Sequence, residues 1–63
     1  MKKPFYYITE NSIVRIYQIE GDVPRLITRI TFMDNPEQSI INYLIENNLG
    51  DKNSRLIQFI SIN

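Results

Sequence analysis

The chain has 63 residues, with no histidine and no cysteine, and its seven basic residues balance seven acidic ones. This length predicts a single domain over residues 1–63, and the missing cysteines exclude disulfides. The chain also lacks the side chain that titrates near neutral pH, the strongest nucleophile and the two commonest zinc ligands, so we expect no enzyme, metal site or cofactor. Zero net charge does not indicate a strongly electrostatic partner, and it makes self-association easier.

The composition is rich in isoleucine and asparagine and contains no alanine. Branched side chains favour strands, because they pack well on a pleated surface. The same bias is typical of AT-rich bacteria and their phages, which predicts a bacterial, phage or mobile-element source. No stretch reaches the roughly 18 apolar residues of a membrane span, and no signal-like apolar run follows the N-terminus. We therefore expect a cytoplasmic protein with no membrane contact.

Three strands are predicted in the first half of the chain, over residues 5–9, 13–19 and 25–33. Each is a run of β-branched, aromatic and other apolar residues, with polar residues between them. Residues 10–12 and 20–24 separate the runs, and they contain the asparagine, glycine, aspartate and proline typical of turns. The three strands are therefore predicted to form a meander with short hairpin loops.

A helix is predicted after the third strand. Asp34 or Asn35 can cap its first amides, Pro36 fits the first helical position, and Glu37 places negative charge where the helix dipole favours it. Gly50 is predicted to end the helix in a left-handed conformation. On a helical wheel one apolar stripe faces a core. The stripe consists of Ile40, Ile41, Leu44 and Ile45.

A last strand is predicted over residues 54–62, which gives the element order β-β-β-α-β. The predicted fold class is α+β: a small antiparallel sheet of about four strands, with one helix packed on one face. The order resembles that of many unrelated small domains and implies no particular function.

The strands carry too many apolar side chains for one helix to cover, because large apolar groups occupy both faces of each strand. An exposed apolar face of this kind usually marks an interaction site. The suspected second face is read from the alternation of side chains along three strands. It comprises Ile13, Arg15, Tyr17 and Ile19, then Arg25, Ile27, Arg29, Thr31 and Met33, then Arg55, Ile57, Phe59 and Ser61.

The pairing of the second and third strands decides which of these groups meet. If Ile16 faces Ile30, Tyr17 lies beside Arg29. Tyrosine and arginine are enriched where binding energy is concentrated. The alternative is that they are ordinary strand residues whose stems cover apolar surface. The residues expected to bind a partner are Arg15, Tyr17, Ile27, Arg29, Met33 and Phe59.

Two functions are compatible with such a face. The first is a protein–protein interaction module, a homodimer that regulates or inhibits a larger protein. The second is single-stranded nucleic-acid binding by an Arg/Tyr sheet face, although zero net charge weakens attraction to a polyanion. The second hypothesis uses basic groups from Lys2, Lys3, Arg15, Arg25, Arg29 and Arg55, and stacking by Tyr6, Tyr7, Tyr17 or Phe59.

Overall fold

A computed structural model describes residues 3–59 of the chain. They form four strands and one helix in the order β1 (Phe5–Glu10), β2 (Ile13–Glu20), β3 (Val23–Thr31), α1 (Pro36–Glu46) and β4 (Leu56–Gln58). The predicted α+β class and the β-β-β-α-β order are confirmed. Strand β4 is shorter than the predicted strand over 54–62, of which residues 60–62 lie outside the described part.

The four strands form one sheet in the order β3-β2-β1-β4. The β1–β2 and β2–β3 pairs are antiparallel, whereas β1 and β4 are parallel. The sheet is therefore mixed, where an antiparallel sheet was predicted. The cause is the helix, which returns the chain across the sheet so that β4 enters in the direction of β1.

Both hairpins close with two-residue turns. Asn11 and Gly21 are the first residues of these turns, with φ of 57° and 63°. Positive φ suits glycine and asparagine, and it matches the twist of the paired strands. The second turn is shorter than the predicted loop over 20–24. Strand β3 consequently begins at Val23 and ends at Thr31, two residues earlier than predicted at each end.

The predicted start of α1 is confirmed, whereas its end differs. Asn35 Oδ1 accepts hydrogen bonds from the amides of Glu37 and Gln38, at 3.0 and 3.3 Å, and Pro36 begins the helix. The helix ends before Asn48, whose φ is 56°, and not at Gly50. Asparagine tolerates this left-handed conformation and takes the role predicted for the glycine.

The core lies between α1 and one face of the sheet. Ile45, which was predicted to face this core, is 47% exposed. Tyr43, on the other flank of the helix, packs against the core instead. The contact stripe is therefore centred on Ile40 and Leu44. The buried set is Phe5, Tyr7, Val14, Ile16, Ile40 and Leu44.

A buried tyrosine links the sheet to the first turn of the helix. Tyr7 is 4% exposed, and its hydroxyl donates a 2.7 Å hydrogen bond to Glu37 Oε2. Burial, together with the hydrogen bond and the negative charge of Glu37, raises the pKa of Tyr7 to about 12. The hydroxyl thus stays protonated and keeps donating over the whole neutral range.

We expect this contact to make the fold sensitive to alkali. The pKa of Tyr7 is 10.0 when unperturbed and about 12 in the folded chain, so its contribution to stability is complete below pH 10 and disappears as the pH rises through 12. A shift of this size corresponds to about 3 kcal/mol in the free energy of unfolding. Urea unfolding from pH 8 to 12 measures it. Tyr7→Phe is the control, because it should remove this extra alkaline loss; an equal loss in both proteins would contradict the assignment.

Candidate functional site

The pairing of β2 with β3 determines which side chains meet on the sheet. Arg15 lies opposite Arg29, and Val14 lies opposite Ile30. The predicted pairing of Ile16 with Ile30 is therefore wrong by two residues. The two-residue turn slides the pairing by three residues relative to the predicted one, and a bulge in β3 takes back one of them.

A β-bulge in β3 changes the face of part of that strand. The register shifts between Ile16 and Tyr17, so that Tyr17 pairs with Leu26 and Ile27 has no partner on β2. Ile27 packs against the core on the helix side, not on the second face where it was predicted. Simple alternation along β3 fails at this point because the bulge inserts one residue into the strand.

The bulge also moves Arg25 away from the second face. Arg25 pairs with Gln18, on the helix side of the sheet, and its guanidinium lies 2.7 Å from the carboxylate of Glu20. Both side chains are exposed, and the hydrogen bond and positive charge of Arg25 lower the pKa of Glu20. Met33 lies outside β3, which ends at Thr31, and is 95% exposed in the segment before α1.

We call the sheet face opposite α1 the open face, because no part of residues 3–59 covers it. Its membership follows from the strand registers and from the alternation of side chains away from the buried core. The open face consists of Tyr6, Ile8, Glu10, Ile13, Arg15, Tyr17, Ile19, Leu26, Arg29, Thr31, Ile57 and Phe59.

An aromatic row crosses the open face. Tyr6 pairs with Tyr17 on one side and with Ile57 on the other, and Tyr17 pairs with Leu26. The rings of Tyr6 and Phe59 stack with their centroids 4.8 Å apart and their planes inclined by 15°. We define the aromatic row as Phe59, Tyr6, Tyr17 and Leu26. Together they form an apolar strip that crosses β1, β2 and β3 and includes the residue after β4, and in it Leu26 is half exposed.

An arginine row lies beside the aromatic row. It consists of Ile8, Arg15 and Arg29, which are paired across β1, β2 and β3. Glu10 holds Arg15 in a 3.0 Å ion pair, whereas no carboxylate within residues 3–59 pairs with Arg29. Like charges directly opposite each other on a sheet are destabilising. A partner that contacts the guanidinium groups would offset this repulsion.

The open face brings together four of the six residues predicted to bind a partner: Arg15, Tyr17, Arg29 and Phe59. Tyr6, Ile8 and Leu26 belong to the same surface and were not among those six. The alternation of β1 carries a signal for Tyr6, since Phe5 and Tyr7 point to the other face. Leu26 could not be assigned without the bulge.

The residues named for nucleic-acid binding are not all on one surface. Tyr7 is buried under the helix and cannot stack on a base. Lys3 and Arg55 line a groove between the start of β1 and the segment after α1, away from the open face. Lys2 lies outside the described residues. Arg15, Arg29 and three aromatic rings remain for that hypothesis.

Within residues 3–59, no group of three or more acidic side chains is placed to hold a metal ion. In the same part of the chain, no helix is long and apolar enough to cross a membrane. Comparison of the chain with protein-family models, with curated proteins and with solved structures gave no match.

Proposed function

We propose that this chain is a protein–protein interaction module and that the open face is its binding surface. The observation that carries the proposal is the aromatic row beside the arginine row, on a face that residues 3–59 leave uncovered. Large exposed apolar patches usually mark interaction sites, and tyrosine and arginine dominate the energetics of such sites. Buried against a protein, the open face would lose its contact with water.

The wider role we propose is that of a cytoplasmic regulator or inhibitor of a larger protein, encoded by a bacterium, a phage or a mobile element. The small size and zero net charge of the chain support this role, together with the open face. Association through the open face would leave α1 on the outside.

Photo-crosslinking in the producing cells tests the proposed function. A diazirine residue of leucine size replaces Ile8 on the open face, and the same residue at Gln38, on the exposed side of α1, is the matched control. We expect adducts with protein, the same chain included, from position 8 and not from position 38. Equal labelling from both positions, or no protein adduct at position 8, would contradict the proposal.

Single-stranded nucleic-acid binding is the second candidate. It is favoured by the Tyr6–Phe59 stack and by Arg29, which forms no ion pair with a carboxylate of residues 3–59. Aromatic side chains on a sheet can stack on bases, and arginines can contact phosphates. Titration of a fluorescent oligonucleotide at low salt distinguishes the two candidates. Nucleic-acid binding requires an affinity that falls steeply with salt concentration, whereas the protein-binding proposal predicts no appreciable binding.

A further inference from the structure

The exposed edge of β3 is protected against pairing with another strand, whereas the open face is not. Pro24 removes one amide from β3, the bulge at Ile27 interrupts its regular ladder, and the charged Arg25 and Arg29 lie along it. Proline, bulges and charged side chains are the devices that prevent sheet edges from pairing. Association through the open face is therefore favoured over strand addition at this edge.

The fold itself has a small core. Six described side chains are buried, none of the buried residues is charged, and the chain has no cysteine to form a disulfide. Domains of this size usually need a supplement to their core, and self-association is one of the few available here. Zero net charge removes long-range repulsion between copies.

The dimensions of the molecule suit such an association. Its two longer extents are 32 and 28 Å, and the shortest is 15 Å. The broad side of the molecule, which contains the open face, is therefore comparable to the roughly 800 Å² that each partner contributes to an interface of standard size. Most of the open face must then be covered, including Ile13 and Leu26, which are 40% and 50% exposed.

Many two-fold axes can bring one open face against another, and two of them place Arg15 over a neighbouring residue of that face. One axis runs parallel to the strands, between β1 and β2, and places Arg15 over Ile8 of the second copy. An axis that crosses the strands at Ile16, between the arginine row and the aromatic row, places Arg15 over Tyr17 of the second copy. The second arrangement gives each Arg15 guanidinium an aromatic ring, a favourable cation–π contact, and places Arg29 over Leu26 of the second copy. It is compatible with the pair to Glu10, since a carboxylate binds the edge of the guanidinium and leaves its plane free.

We propose that the open face is buried against the open face of a second copy, with Arg15 of each chain stacked on Tyr17 of the other. This inference rests on the proposed function and names the partner and the geometry. The two sheets then pack face to face with their strands aligned, and α1 of each copy lies outside.

Cross-linking between single cysteines tests this geometry, because the natural chain contains none. Positions 13 and 19 lie three residues on either side of the axis, so Ile13 of one copy should lie over Ile19 of the other. We expect a short bis-maleimide, matched to the roughly 10 Å spacing of packed sheets, to link Ile13→Cys to Ile19→Cys in a mixture of the two variants. Each variant alone should link to itself several-fold less, since like positions lie roughly 20 Å apart along the strands.

Gln38→Cys, on the outer side of α1, measures linking by random collision. Preferential linking of Ile13→Cys to itself would overturn the proposed axis and favour the alternative two-fold. A mixture that links no more than the Gln38→Cys control, in a protein that stays monomeric, would exclude the second copy as the partner. The proposed function would still stand if photo-crosslinking from position 8 captured a different protein.

Discussion

Replacing Ile16 by alanine should lower the free energy of unfolding by about 2–5 kcal/mol, the usual cost of removing a large aliphatic side chain from a core. Ile16 is fully buried between the centre of the sheet and α1. A single core in a domain of this size rarely supplies more than about 3–5 kcal/mol, so the variant should be largely unfolded at room temperature. Urea unfolding followed by circular dichroism, at low protein concentration, measures the effect.

Ile13→Ala is the matched control for this experiment, because it makes the same change in the same strand on the open face. Ile13 is 40% exposed, so the dilute chain should lose less than about 1 kcal/mol. Ile13→Ala should instead weaken the association between two copies of the chain. Similar losses of stability in the two variants would contradict the division of the sheet into a helix-covered face and an open face.

The second large effect is expected from reversing the charge of Arg15. Each dimer contains two Arg15–Tyr17 contacts, so Arg15→Glu removes both at once. A cation–π contact is worth about 0.5–2 kcal/mol, depending on its exposure, so the loss should exceed 1 kcal/mol. We therefore expect the dissociation constant of the dimer to rise about fivefold or more, as measured by sedimentation equilibrium.

Tyr17 provides the control from the other side of the same contact. Tyr17→Phe keeps the aromatic ring and should leave the dissociation constant nearly unchanged, whereas Tyr17→Leu should weaken the dimer as Arg15→Glu does. All of these side chains lie on the open face, so the monomer fold should persist in each variant. Equal effects of Tyr17→Phe and Tyr17→Leu would show that the hydroxyl, and not the ring, makes the contact.

The elements of the fold were predictable because their signals are local. Asn35, Pro36 and Glu37 mark the start of α1 through capping and dipole chemistry that involves only neighbouring residues. The excess of apolar side chains on the strands can also be seen in the sequence. Side chains alternate between the two faces along a single strand, so this excess can be recognised without knowing which strands pair. These signals account for the α+β class and for the expectation of a second, apolar face.

The positions of residues in β3 and the direction of β4 were not predictable, because both depend on how the strands pair across the sheet. The two-residue turn at Gly21 and the bulge at Ile27 together determine where each residue of β3 lies, and a shift of one residue reverses the face of a side chain. For this reason Ile27 was assigned to the wrong face and Leu26 was missed. The parallel pairing of β4 was missed as well, because it depends on the path of α1 across the sheet.

The solution mass of the unmodified protein, determined by light scattering over a range of concentrations, tests the central claim most directly. If the open faces of two copies bury each other, the mass should approach twice 7.5 kDa as the concentration rises through the micromolar range. A mass that remains that of one chain up to millimolar protein would contradict self-association.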